Sequence, residues 1–283
     1  MTSGSEQPPT SGLFDRELRI RLLSGLVMAA ATVALIYAGP IPFAILVAAL
    51  AAVASWEWGK IVRGTGADAI TVVHALLASG ATLGAALGYF IPALIALLVG
   101  SVVLVFLRLR SKDLLTSLGA FCIGFPAIGL VWLRGDIAAG LLATLFIFVI
   151  VWLTDSGAYL AGRTIGGPKL LASVSPHKTW AGAIGGVVAA ALGGALFAPM
   201  AGVSAPATLA VHGVCLAVAA EIGDLAESAL KRRFGRKESS AIIPGHGGLL
   251  DRVDGLMMAA AAAALYALLT APGQPGRAIL GLF

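Results

Sequence analysis

Residues 137–155 read IAAGLLATLFIFVIVWLTD, an apolar run that carries no charge until it ends at Asp155. About 20 apolar residues in a helix cross the hydrocarbon of a bilayer, so this run reads as a membrane span with an acid at one end. Similar runs occupy residues 22–38, 41–56, 70–88, 91–107, 117–133, 179–200, 207–226 and 254–272. Of the 283 residues, 59% are hydrophobic and only 12% are charged, whereas about a quarter of a soluble domain is charged. The expectation is an all-α, polytopic integral membrane protein with about nine transmembrane helices.

Residues 1–15 are polar, with Pro8, Pro9 and several Ser, Thr and Gly, and read as a disordered tail. Residues 16–133 then form the N-terminal transmembrane helices. Residues 134–283 form a C-terminal region that carries the candidate site. The run 22–38 follows Arg16, Arg19 and Arg21 and has the look of a signal peptide, but the many spans after it favour a retained helix. Gly39-Pro40 and Ile91-Pro92 mark tight turns between paired spans. Cys122 and Cys215 lie in apolar stretches, too few for a disulfide framework or zinc cluster, and read as buried thiols. Trp56 and Trp58 read as interfacial anchors, and His74 and His212 as satisfied packing residues.

With the N-terminus in the cytosol, 17 of the 19 Lys and Arg residues fall on inside segments and only Arg134 and Arg277 outside. This is a strong positive-inside pattern, and it supports both the orientation and an odd number of spans. It also brings Asp155, Lys178, Asp224, Asp251 and Asp254 to one membrane face.

Charge gathers between Glu221 and Asp254, in EIGDLAESALKRRFGRKESSAIIPGHGGLLDRVD. Glu221, Asp224 and Ser228 are spaced i, i+3 and i+7, so they share a helical face that could bind a hard cation through oxygen. Glu227 lies off that face and reads as solvated, as do Arg233 and Arg236. Asp251 and Asp254 open a helix, where they could bind metal or simply complement its dipole. Between them, the glycines around His246 could form an anion-binding nest or a plain turn. Lys231, Arg232 and Arg252 could grip phosphate, and the first two equally suit a cytosolic helix end. Residues 161–179, GRTIGGPKLLASVSPHKTW, read as a loop whose Ser175 and Lys178 precede a helix and could hold phosphate, though the Walker spacing is absent.

Ser228, Lys231, Arg232 and Lys237, followed by Pro244, Gly245, His246, Gly247, Gly248, Asp251, Arg252 and Asp254, resemble the C-terminal signature of the phosphatidate cytidylyltransferases, or CDP-diacylglycerol synthases. Thr154-Asp155-Ser156-Gly157-Ala158-Tyr159, Gly162-Arg163 and Ser175-Pro176-His177-Lys178-Thr179-Trp180 resemble upstream segments of the same family. The specific resemblance covers about residues 154–256; the N-terminal half matches only as hydrophobic spans. Two positions depart from the pattern: Glu238 stands where the family usually has Asp, and Ala181 where it usually has Glu.

The resemblance implies that CTP and phosphatidate give CDP-diacylglycerol and pyrophosphate with Mg²⁺, in a multispanning homodimer of the bacterial inner membrane. On that basis Asp224, Asp251 and Asp254 are expected to hold metal, with Asp155 and Lys178 as further catalytic members. Ser175, Lys178, Ser228, Lys231, Arg232, His246 and Arg252 are expected around the phosphates, and no nucleic acid is expected as a partner. A secondary transporter, or another intramembrane phosphotransferase such as a CDP-alcohol transferase or polyprenol kinase, stays open as an alternative, although the CDP-alcohol transferase pattern is not found.

Overall fold

The structure, a computed structural model, describes residues 16–108, 114–243 and 247–282, with residues 16–23 and 108 described by backbone only. The 1–15 tail, Arg110, Lys112 and His246 lie outside the described residues. The chain forms α1 (Arg16–Ala38), α2 (Pro40–Arg63), α3 (Ala69–Ala86), α4 (Phe90–Arg108), α5 (Leu114–Arg134) and α6 (Gly140–Thr164). It continues with β1 (Lys169–Leu171), β2 (Ser175–Thr179), α7 (Trp180–Phe197), α8 (Pro206–Arg233), α9 (Leu250–Thr270) and α10 (Pro275–Leu280). Among the described residues, 8 helices (α2 to α9) are long and apolar enough to cross a membrane, and Ser24–Ala38 of α1 adds a shorter apolar stretch. The polytopic all-α architecture expected from the sequence is present.

Large apolar side chains point outward, among them Leu76, Leu87, Leu107, Leu196 and Leu269. Buried contacts use small residues instead: Ala259, Ala260, Ala263, Ala264 and Ala267 make the inner face of α9. A bilayer gives no reward for hiding a leucine, so helices associate through close packing of small residues. At Gly213 of α8 a Cβ would lie 2.6 Å from the Ala190 carbonyl oxygen of α7, and at Gly194 of α7 it would fall on the Leu209 carbonyl oxygen of α8. Because the obstacle is backbone, the two helices would have to separate. Gly194→Ala is therefore expected to cost about 1–3 kcal/mol and lower the unfolding midpoint in detergent; an unchanged midpoint would contradict this close crossing.

Several elements differ from the sequence reading. Residues 161–179 hold the end of α6 and an antiparallel β1–β2 hairpin, with Lys169 paired to Thr179, rather than a loop alone. Helix α6 runs more than two turns past Asp155, and α8 more than two turns past Asp224. A helix can leave the hydrocarbon without ending, so both acids sit within helices rather than at span ends. Helix α10 was not expected; the Gly276 N–H donates to Asp136 Oδ2 at 2.9 Å and ties it to the turn between α5 and α6. At the same end, Arg134 donates from Nε (2.9 Å) and Nη2 (2.7 Å) to the Ile36 carbonyl oxygen and satisfies the last turn of α1.

Single residues also depart from expectation. Cys122 and Cys215 are exposed rather than buried, for they lie on outward faces of α5 and α8. Trp58 is an interior residue whose Nε1–H donates to the Leu115 carbonyl oxygen at 2.9 Å, whereas Trp56 stays near the surface under the Lys60 ammonium. His74 is fully buried with neither ring nitrogen hydrogen-bonded among the described residues, so it is not a satisfied packing residue. His212 Nδ1 does reach the Ile279 carbonyl oxygen at 2.8 Å. Between α2 and α3, Asp68 caps α3 by accepting the Thr71 N–H and takes two hydrogen bonds from Arg63, which hold its carboxyl well below the usual carboxylate range.

Candidate active site

Helices α6 to α9, the β1–β2 hairpin, residues within 237–243 and Gly247 line a cavity of about 1090 Å³. Its wall includes Asp155, Lys178, Glu221, Asp224, Lys231, Asp251, Arg252 and Asp254. Residues nearly a hundred positions apart thus meet as the sequence predicted. The hairpin does part of this work. Thr179 ends β2 and caps α7 by accepting the Gly182 N–H at 3.1 Å, which turns Lys178 toward α8.

Lys178 Nζ meets Asp224 Oδ2 at 2.5 Å, while Ser228 Oγ donates to Asp224 Oδ1 at 3.4 Å. Asp224 is therefore anchored to the hairpin rather than to Lys231. Two helical turns further, Lys231 is held between Glu227 and Asp251 and lies 2.5 Å from Asp251 Oδ1. Glu227 is buried in this pair, not solvated: its i,i+4 spacing to Lys231 places both on the inner face of α8. Asp251 also accepts the Gly248 N–H at 2.9 Å, the Ser239 N–H at 3.0 Å and the Ser239 hydroxyl at 3.0 Å. Its carboxylate is fully engaged in closing the start of α9, as expected for an acid in a first helical turn.

Asp155 and Asp254 face the same cavity. Asp254 Oδ1 accepts the Gly255 N–H at 2.8 Å. Glu221 lies deeper, with Oε1 buried and without a hydrogen-bond donor among the described residues. Tyr159 and Arg163 follow Asp155 along α6, line the cavity and are bound to each other, Arg163 Nη1 to the tyrosine oxygen at 2.6 Å.

Other candidate residues stand elsewhere. Ser175 and Ser228 do not line the cavity. Arg232 points outward, where it donates to the Val174 carbonyl oxygen at 3.4 Å and the Arg236 carbonyl oxygen at 3.1 Å and fastens the hairpin tip to α8. It follows Lys231 directly, and adjacent helical residues project about 100° apart. Lys237 and Glu238, by contrast, do line the cavity.

The donor set suits a hard divalent cation. Asp155, Glu221, Asp224 and Asp254 offer anionic oxygens around one space, and the orphaned Glu221 oxygen needs a positive partner or water. Among the described residues, no three His, Cys, Asp or Glu form a ready-made cage. Mg²⁺ commonly binds through one or two carboxylates and completes its octahedron with substrate phosphates and water, so an incomplete protein cage fits it.

The residue that the sequence reading missed is Glu57. It is fully buried within α2, six residues before the helix ends, and accepts hydrogen bonds from the Ser239 and Ser240 hydroxyls and from the Leu249 and Leu250 N–H groups. The signal was there: Glu57 is the one charged residue between Arg21 and Lys60. Ending the second span at residue 56 hid it.

The profile of the cytidylyltransferase family matches residues 19–270. The phosphatidate cytidylyltransferase of Brucella suis biovar 1 is 37% identical over 269 residues, covering 91% of this chain and 96% of its own length. That of Staphylococcus saprophyticus is 40% identical over 147 residues, 49% of this chain and 55% of its own, and that of Haemophilus influenzae 43% over 125 residues, 42% and 43%. By the reach of this match, across nearly every span and all of the cavity, the chain belongs to the cytidylyltransferase family and is a nucleotidyltransferase.

Proposed function

We propose that this chain converts CTP and phosphatidate into CDP-diacylglycerol and pyrophosphate. The observation that carries the reading is the meeting of Lys178–Asp224 with Asp155, Asp254 and Arg252 in one cavity, lined by the C-terminal halves of α6 and α8 and the opening turns of α9. A lipid phosphate and a soluble nucleotide can meet at such a place. A transporter would be expected to hold its charges nearer the bilayer midplane.

A phosphate oxygen of phosphatidate attacks the α-phosphorus of CTP and forms a new P–O bond. The bond from that phosphorus to the bridging oxygen breaks, and its electron pair leaves with pyrophosphate. The attacking oxygen is already anionic, so no strong base is needed. The barrier lies in bringing polyanions together and in charge growing on the leaving group. Lys178 and Arg252 line the cavity where they offset that charge, and Lys237 adds a third cation. Lys231, clamped between Glu227 and Asp251, fixes α8 against α9 while it faces the cavity. Asp224 and Asp254, with Asp155 beside them, would hold Mg²⁺; when bound, the ion neutralises phosphate oxygens and withdraws charge from the leaving group. Asp251 fits a structural role better than direct ligation, since its oxygens are taken.

The end of the bundle that bears the site carries the excess of Lys and Arg, which favours a cytosol-facing cavity in the bacterial inner membrane. The homodimer rests on the family resemblance. Purified protein given labelled CTP, phosphatidate and Mg²⁺ is expected to release pyrophosphate and lipid-linked CMP in equal amounts, and a chelator is expected to stop both. Solute flux without pyrophosphate would instead identify a transporter.

A further inference from the structure

We propose that Glu57 is a positioning residue for the cavity, a carboxylate of the N-terminal helices that sets Ser239, Ser240 and the start of α9 at Leu249 and Leu250. This rests on reading the cavity as the site of cytidylyl transfer. Helix α2 contributes nothing to the cavity wall. Its carboxylate nevertheless receives four donors from the other half of the chain, at distances from 2.5 to 3.1 Å. Two are the Leu249 and Leu250 N–H groups, at the start of α9, which have no partner inside the helix. No residue adjacent in sequence supplies this cap: Leu249, at the N-cap position, makes no side-chain hydrogen bond to the helix.

The contact continues into the site. Ser239 Oγ lies 3.1 Å from Glu57 Oε2 and 3.0 Å from Asp251 Oδ2. The single hydroxyl proton serves one carboxylate at a time, while the Ser239 N–H remains on Asp251. Asp251 in turn holds Lys231. A continuous chain, Glu57 to Ser239 to Asp251 to Lys231, therefore joins α2 to the cavity wall. Gly248 passes closely over it. A Cβ on Gly248 would fall on Ser239 Oγ and lie 2.6 Å from Glu57 Oε1, so only glycine lets the segment pass. One turn along α9 from this anchor stands Asp254, so a shift at Leu249–Leu250 moves a proposed Mg²⁺ carboxylate.

Glu57→Gln keeps the size but turns an amide N–H toward one of the backbone donors. In full-length purified protein it is expected to lower kcat about 10–100-fold, with the KM for CTP changed far less, as for other groups that orient a site from behind. Hydrogen exchange of the 247–251 amides is expected to quicken. Ser239→Ala added to Glu57→Gln is expected to cost little further, because both act through one chain. Turnover within about twofold of the unmutated protein, or effects of the two changes that multiply, overturns the proposal. Should Glu57→Gln fail to insert, Ser240→Ala, which removes the 2.5 Å donor and leaves the carboxylate, decides instead: unchanged kcat and unchanged exchange at 249–250 overturn it. The exchange arm is independent of chemistry. Quickened exchange in a chain that makes no CDP-diacylglycerol would sustain the anchor and refute the reaction.

Discussion

Lys231→Met is expected to leave a protein that barely folds and does not turn over. Lys231 is 10% exposed and both its partners, Glu227 and Asp251, are 9% exposed. Removing one partner from a buried ion pair costs about 3–5 kcal/mol, because the charge left behind has neither water nor a counterion. The two acids do not suffer equally. Asp251 keeps the Gly248 N–H and both donors of Ser239. Among the described residues, Glu227 has no hydrogen-bond donor for either oxygen apart from its ion pair with Lys231. Most of the cost should fall on Glu227. Lys231→Met with Glu227→Gln is thus expected to regain much of the lost thermal stability in detergent, and Lys231→Met with Asp251→Asn much less. Equal recovery by both pairs would show that the triad is not organised in this way. Activity should not return in either, since the cavity has lost a cation and α8 its tie to α9.

The same triad shows what sequence can and cannot reveal about this fold. The spans were legible because apolar length is a direct demand of the bilayer, and the alternation of Lys and Arg fixed which loops share a face. That was enough to bring Asp155, Lys178, Asp224, Asp251 and Asp254 together. Roles within the group were less legible. Asp251 and Asp254 lie three residues apart in the opening turns of α9 and both line the cavity, yet the oxygens of Asp251 are taken by Gly248, Ser239 and Lys231, while Asp254 accepts the Gly255 N–H. The difference arises from Ser239, which folds back from a loop that has no periodic pattern. Glu227 was misread because a helical wheel drawn for α8 alone does not show that α9 covers its second face. Arg232 belongs to the family signature by its neighbours, and only the hairpin's course reveals that its guanidinium holds the Val174 carbonyl oxygen. Glu57 escaped because its partners are about two hundred residues away, although an isolated acid in a hydrophobic helix is itself a sign of a buried partner.

Asp224→Asn and Asp254→Asn are each expected to lower kcat roughly 10²–10³-fold or more, the usual cost of removing a charge aimed at the reacting centre. The two should differ from Asp251→Asn in kind. Asp224 is 37% exposed and its Lys178 partner 26%, so water can compensate for much of their pair and folding should survive. Asp251 is tightly bonded, and its loss should appear first as a lower unfolding midpoint. If Asp224 and Asp254 share Mg²⁺ with the CTP phosphates, their Asn variants should need far more Mg²⁺ for half-maximal rate at fixed CTP. If they only balanced Lys178 and Arg252, the Mg²⁺ requirement would stay put and CTP affinity would change instead. Lys178→Met supplies the contrast. It frees Asp224 Oδ2 from its ion pair, so Mg²⁺ should bind at least as well while the rate still falls through the missing cation. A rate near that of the unmutated protein for both Asp224→Asn and Asp254→Asn would remove these two carboxylates from the chemistry altogether, leaving Asp155, Glu221 and Glu238 as the cavity acids whose oxygens could hold a metal.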